Sequence, residues 1–140
     1  MNDPWEKRLI DGELHVNHGM SVGDVDGDGR PDVLIGARDG LIWFEPPEGD
    51  AFEGEWKRWV ISERESSEVF TVDLDGDGVN EFLSIEPWHG NELVWYKATG
   101  GIRDGKWDRF LIDDTLNRGH SLCGVDIDDD GVIEVISGYN

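Results

Sequence analysis

The sequence is poor in several things, and each shortage excludes something. One cysteine in 140 residues, Cys123, rules out an intramolecular disulfide. That suits a reducing compartment, or a secreted fold that needs no staples. Only 12 basic residues stand against 32 acidic ones, for a formal net charge of −20. Such a chain repels phosphates, so nucleic acid is excluded as a partner, and anionic membrane surfaces are disfavoured. No apolar run approaches the roughly 18 residues of a membrane span. Residues 1–8 hold no apolar stretch of the kind that forms a signal peptide. Helical periodicity is weak. There is no Ser-His-Asp arrangement, no His-x-x-x-His helix and no glycine-rich phosphate loop, so no particular reaction is indicated.

What is present points to a packed domain. Hydrophobic content is 37%, with seven tryptophans. Disordered acidic chains are poor in aromatics, so this is no acidic tail. Nineteen glycines imply many tight turns. The apolar segments are short, β-branched or aromatic, and bounded by Gly, Asp, Asn or Pro, which predicts many short strands.

The chain also repeats itself about every 51 residues. Trp5, Trp56 and Trp107 open the similar segments Trp-Glu-Lys-Arg-Leu-Ile, Trp-Lys-Arg-Trp-Val-Ile and Trp-Asp-Arg-Phe-Leu-Ile. The units run approximately over 5–55, 56–106 and 107–140. Each holds an acid-rich stretch followed by an apolar run: Asp24–Asp32 before Val33, Asp73–Glu81 before Phe82, and Asp126–Glu134 before Val135. Leu41–Glu45 and Leu93–Lys97 supply a further element in the first two units only. Four strands in a period of 40–50 residues predict an all-β fold of β-propeller blades.

The acid-rich stretch reads D-x-D-x-D-G-x-x-D/E. Alternate carboxylates in a tight loop converge on one point, where they repel one another unless a cation joins them. Hard oxygen ligands in a flexible loop suit Ca²⁺. The candidate side-chain ligands are Asp24, Asp26, Asp28 and Asp32, then Asp73, Asp75, Asp77 and Glu81, then Asp126, Asp128, Asp130 and Glu134. Arg30, Val79 and Val132 would each add a backbone carbonyl. About three Ca²⁺ per chain are expected. An EF-hand is excluded, because its twelfth position needs Glu and holds Ile35, Ser84 and Ser137 here. Gly29, Gly78 and Gly131 stand where the loop must turn sharply.

These repeats resemble the FG-GAP/VCBS family, the calcium-binding blades of integrin-type propellers, which also occur in fungal lectins and bacterial extracellular proteins. A narrower resemblance, carried by His120-Ser-Leu-Cys-Gly-Val-Asp126 and Trp107-x-Arg-x-x-Ile-Asp113, is to the propellers of aldos-2-ulose dehydratase-like proteins. The family likeness implies that each acid loop joins an innermost strand to a second strand. Inner strands would be Met20–Val25, Val69–Leu74 and Leu122–Ile127. Second strands would be Asp32–Gly36, Glu81–Ile85 and Glu134–Ser137. Leu41–Glu45 and Leu93–Lys97 would be third strands, and the Trp-led segments outer ones. Trp5–Ile10 would then be the outer strand of a preceding blade, followed by two complete blades and half of a third.

Propellers close rings of about four to eight blades. The chain is therefore expected either to close a ring of about six blades with a second copy, as a homo-oligomer, or to be a fragment of a longer propeller. The repeating tryptophans read as packing between blades. Trp88 breaks the pattern, lying with His89 and Asn91 between second and third strands. The corresponding loop of the first unit carries Arg38. A loop Trp beside His and Asn suits sugar stacking, and a half-buried packing role is equally open. His18 and His120 each stand six residues before an acid loop, near the expected central mouth, where Ser67 holds the third position. They could bind a metal or act as a general base, or simply cap strands. Three functions follow: a calcium-stabilised module binding a glycan or protein, a sugar-acting lyase or dehydratase, or an engineered or ancestral-like fragment without a ligand. Loops of this kind often bind calcium at roughly 0.1–1 mM, which suits an extracellular or periplasmic home.

Overall fold

The computed structural model describes residues 6–139. Ten strands follow in order: β1 (Asn17–Gly23), β2 (Asp32–Ala37), β3 (Gly40–Glu45), β4 (Lys57–Ser62), β5 (Glu68–Val72), β6 (Glu81–Glu86), β7 (Glu92–Ala98), β8 (Trp107–Asp113), β9 (Gly119–Val125) and β10 (Glu134–Tyr139). They form antiparallel meanders, each strand pairing with its sequence neighbour. β1-β2-β3-β4 and β5-β6-β7-β8 are complete four-stranded sheets, and β9-β10 is a two-stranded one. These are the blades the repeat predicts, in the expected phase, and the described residues of one chain do not close a ring.

Each sheet repeats the same pairing chemistry. In the first, Leu34 faces Trp43, and Trp43 faces Trp59 across β3 and β4. In the second, Leu83 faces Trp95, and Trp95 faces Phe110. The two aromatic pairs stack, with ring centroids 5.7 Å and 4.6 Å apart. Cross-strand aromatic pairs of this kind stabilise a sheet and fix its register. β3 and β6 are buried along their whole length, which explains the continuous apolar run Leu41–Phe44 of β3.

The cores lie between sheets. One joins Leu34, Leu41 and Trp43 of the first sheet to Val69, Phe82, Val94 and Tyr96 of the second. A smaller one joins Ile85 and Leu93 to Leu116, with Leu122 and Val135 of the third sheet against it. The inner strand β5 lies beside both β1 and β9. Gly19 makes that approach possible: a Cβ there would come within 2.6 Å of the Glu68 backbone.

Two expectations are corrected. The inner strands end before the acid loops begin, at Gly23, Val72 and Val125, because the backbone turns into the loop at the first Asp. The predicted outer strand Trp5–Ile10 does not form within the described residues: 6–10 are not in a strand, and Trp5 lies outside that range. The reason is physical. No strand among the described residues lies along this segment, and Arg8 donates a side-chain hydrogen bond to the Gly54 carbonyl.

The two outermost sheets leave apolar side chains in solvent. Met20 is 67% exposed on β1, and Tyr139 is 66% exposed on β10. No helix among the described residues is long and apolar enough to cross a membrane.

Candidate functional site

The acid loops occupy one end of the sheets, between β1 and β2, β5 and β6, and β9 and β10. The backbone builds each loop in the same way. The first Asp is held by main-chain amides: Asp24 accepts from Gly27, Asp28 and Gly29, Asp73 from Gly76, Asp77 and Gly78, and Asp126 from Asp130 and Gly131. Gly29, Gly78 and Gly131 have φ of 84°, 87° and 88°, so the sharp turn falls where the sequence places it. The last acid reaches back across the loop. Asp32, Glu81 and Glu134 accept from the amides of Val25, Leu74 and Ile127 at 2.8, 2.9 and 2.9 Å.

The outcome is three triads, Asp24–Asp26–Asp32, Asp73–Asp75–Glu81 and Asp126–Asp128–Glu134. In each, one oxygen per carboxylate lies within 4.8 Å of the others. The remaining expected ligands, Asp28, Asp77 and Asp130, stand outside the triads. Each accepts the amide of the residue named as a carbonyl donor, Arg30, Val79 or Val132, at 2.8–2.9 Å. Asp28 also pairs with the Arg30 side chain.

The donor set fits a hard divalent cation. It contains only oxygens, held in place by hydrogen bonds from main-chain amides. Burial, with Asp26 and Asp28 nearby, pushes the Asp32 carboxyl up to about 6. Burial, with Asp75 and Asp77, also raises that of Glu81. Basic side chains of the second sheet and its β7–β8 connection offset part of this charge. Lys97 bonds Asp75 and Asp77, while Arg103 bonds Asp26 and Glu45. Hydrogen bonds from Arg103, Lys57 and Trp59 hold the buried Glu45 carboxyl down at about 2. The loops are also tied to one another, since Asn80 donates to the Asp24 carbonyl at 2.7 Å. A cleft of about 390 Å³ separates the first loop from the second sheet, and one of about 410 Å³ lies between the second and third loops.

The family of FG-GAP-like repeats matches residues 24–84. This segment is similar to an FG-GAP-like repeat. The FG-GAP match runs from the first Asp of loop one, through β2–β5 and loop two, into β6. FG-GAP repeats generally bind calcium, in keeping with carboxylate clusters that could hold a metal. The third loop lies beyond the matched segment and reproduces the same geometry. No curated protein and no solved structure matches the chain, and the likeness to aldos-2-ulose dehydratase-like propellers gains no support.

The opposite end of the sheets collects the other candidates. His18 opens β1, His120 opens β9, and His89 sits in the β6–β7 connection. One ring nitrogen of each lies within 4.8 Å of the others. Ring centroids are 4.9 Å apart for His18–His89, 5.7 Å for His18–His120 and 4.4 Å for His89–His120. The sequence suggested histidines gathered from two chains around a mouth; a single chain supplies three. Burial, with His120 and His18 close by, lowers the pKa of His89.

Trp88 packs edge-on against His18 and His89, with the Arg38 guanidinium 5.4 Å from its ring centre. Asn91 takes a different role. Its side chain donates to the Asp114 carbonyl at 2.7 Å, anchoring the segment that leads into β9. Glu68, which the sequence did not single out, joins the histidines through a 2.9 Å contact with His18. The signal was available: Glu68 follows Ser67, the residue holding the histidine position in the second repeat.

Proposed function

We propose that the chain is a calcium-stabilised propeller-type module that serves as a binding or scaffold domain. The observation that carries this reading is the threefold recurrence of one construction, three carboxylates converging on a backbone-amide scaffold. About three Ca²⁺ per chain would hold the loops and, through Asn80, fasten one blade to the next. An ion that binds only the folded state stabilises it by mass action. Calcium titration with thermal melting tests this: the melting temperature rises with calcium and falls with chelator. A melting temperature indifferent to both would reject the calcium assignment.

The module completes its ring by association with a second copy. The support is the exposed apolar surface at both ends of the array, with Met20 and Val22 on β1 and Ile136 and Tyr139 on β10. Open blade faces of this kind seek a partner. Light scattering in calcium should report a dimer, and a stable monomer would contradict this. A glycan or protein ligand is assigned to the face of Trp88 and Arg38, where an aromatic edge and a cation lie together. Glycan arrays and pull-downs with Trp88→Ala as the control test that assignment. An extracellular or periplasmic setting agrees with calcium sites of modest affinity.

The histidine cluster favours a second reading, a lyase or dehydratase acting on sugar derivatives, in which His18 or His120 takes a proton. Turnover abolished in His18→Ala and His120→Ala would support it; unchanged turnover would remove it.

A further inference from the structure

We propose that His18, His89 and His120 form a site for a divalent transition-metal ion of the Zn²⁺ class, oriented by Glu68 and separate from the acid loops. Calcium prefers oxygen ligands, whereas imidazole nitrogen suits Zn²⁺ and its first-row neighbours. Three histidines with a fourth position left open are a known ligand count for a reactive zinc.

Four observations converge. The three nitrogens already lie within 4.8 Å of one another, so small side-chain rotations bring them to a common ion. The tautomer of His18 is fixed by its surroundings. Its Nδ1 faces two acceptors, the Ser67 carbonyl at 3.1 Å and Glu68 Oε1 at 2.9 Å. A carbonyl only accepts, so Nδ1 is the donor, and in the neutral ring Nε2 carries the lone pair that an ion would take. A carboxylate or carbonyl behind a histidine is the usual outer-shell arrangement of metal-binding imidazoles. Third, the same Glu68 oxygen lies 3.9 Å from His120 Nδ1, so one carboxylate stands beside two of the rings. Last, His89 Nδ1 is buried without a hydrogen-bond partner. Buried polar nitrogens are normally satisfied, and ligation of the cluster would give this ring a partner.

The elements that carry these groups are braced independently of any ion. Below His89, the buried Glu86 carboxylate pairs with Arg64 and Arg109 at 3.0 Å and accepts from Tyr96 at 2.8 Å. The Gly90 carbonyl accepts from Gly119, which ties the His89 loop to the strand that carries His120. His18 is exposed, so the centre opens to solvent on the side away from the core. Trp88 and Arg38 flank that opening, which places an aromatic edge and a cation beside the free coordination position.

The test uses the full chain, stripped of metal and then held in excess Ca²⁺, titrated with Co²⁺ as a spectroscopic stand-in and with Zn²⁺ in competition. One Co²⁺ per chain should bind, with visible d–d bands of a four- or five-coordinate nitrogen site, and Zn²⁺ should displace it. His89→Ala and His120→Ala should each weaken binding by more than the roughly 10–100-fold typical of an outer-shell loss, and Glu68→Gln by about that amount. Circular dichroism and cooperative thermal melting of each variant verify folding, and His18→Ala replaces any variant that does not fold. Absence of Co²⁺ binding by the parent chain overturns the site. So does unchanged affinity in two folded histidine variants, or Co²⁺ binding that Ca²⁺ abolishes, which assigns the ion to the acid loops. The result does not depend on whether the acid loops take calcium, because the histidine variants leave those loops intact.

Discussion

The two ends of the same strands are built on opposite plans. At one end the chain repeats a single loop three times, and every loop uses its own residues for its own triad. At the other end no element repeats its neighbour. One strand brings His18, another brings His120, a connecting loop brings His89, and the strand between them begins with Glu68, directly after Ser67, which stands where the repeat would have brought a third histidine. The acid end is a local construction and needs little from the tertiary fold. The histidine end exists only because three sheets pack side by side. The first should depend on ions more than on packing, and the second on packing more than on ions.

Withdrawing calcium is the largest expected perturbation of that contrast. At ten times the dissociation constant each site contributes about 1.4 kcal/mol, so three contribute about 4 kcal/mol. For a domain of this size that corresponds to a fall of about 10 °C in melting temperature on adding chelator. Differential scanning calorimetry with and without calcium measures it.

Glu86→Ala comes next. It removes a fully buried carboxylate from Arg64, Arg109 and Tyr96 and should cost about 3 kcal/mol in urea unfolding. Calcium stoichiometry should be unaffected in the folded fraction. A third variant, Gly19→Ala, inserts a methyl group where β1 meets the backbone of β5. It should cost about 2 kcal/mol and loosen the histidine end before the acid loops. A shift in calcium affinity larger than the shift in stability would break the division between the two ends. The smallest effect is expected from Asn91→Ala, about 1 kcal/mol, from loss of its bond to the Asp114 carbonyl. Hydrogen exchange should show the change confined to the segment before β9.

The same division governs what could be read from sequence. The loops were legible because local spacing decides them: a D-x-D-x-D-G run with its glycine at positive φ brings the first, second and last acids together whatever surrounds it. The strands were legible because Trp43 and Trp95, and their partners, recur with the repeat. Three things escaped. Asp28, Asp77 and Asp130 share the spacing yet stand outside the triads, each accepting a main-chain amide within its own turn. Asn91, with a suggestive neighbourhood, serves as an anchor. The meeting of His18, His89 and His120 depends on how closely β1, β5 and β9 approach, which no periodicity records; Gly19 permits the β1–β5 contact. Residues 6–10 have the composition of a strand and pair with no strand among the described residues, since strand formation needs an edge as well as a pattern.

The most direct test of the account is the number of calcium ions bound at equilibrium, measured by titration calorimetry on the metal-free chain. The parent chain should bind three, and Glu81→Gln should bind two while remaining folded. A parent chain that binds none, or a folded Glu81→Gln that binds as many as the parent, would contradict the claim that each repeated loop is a calcium site.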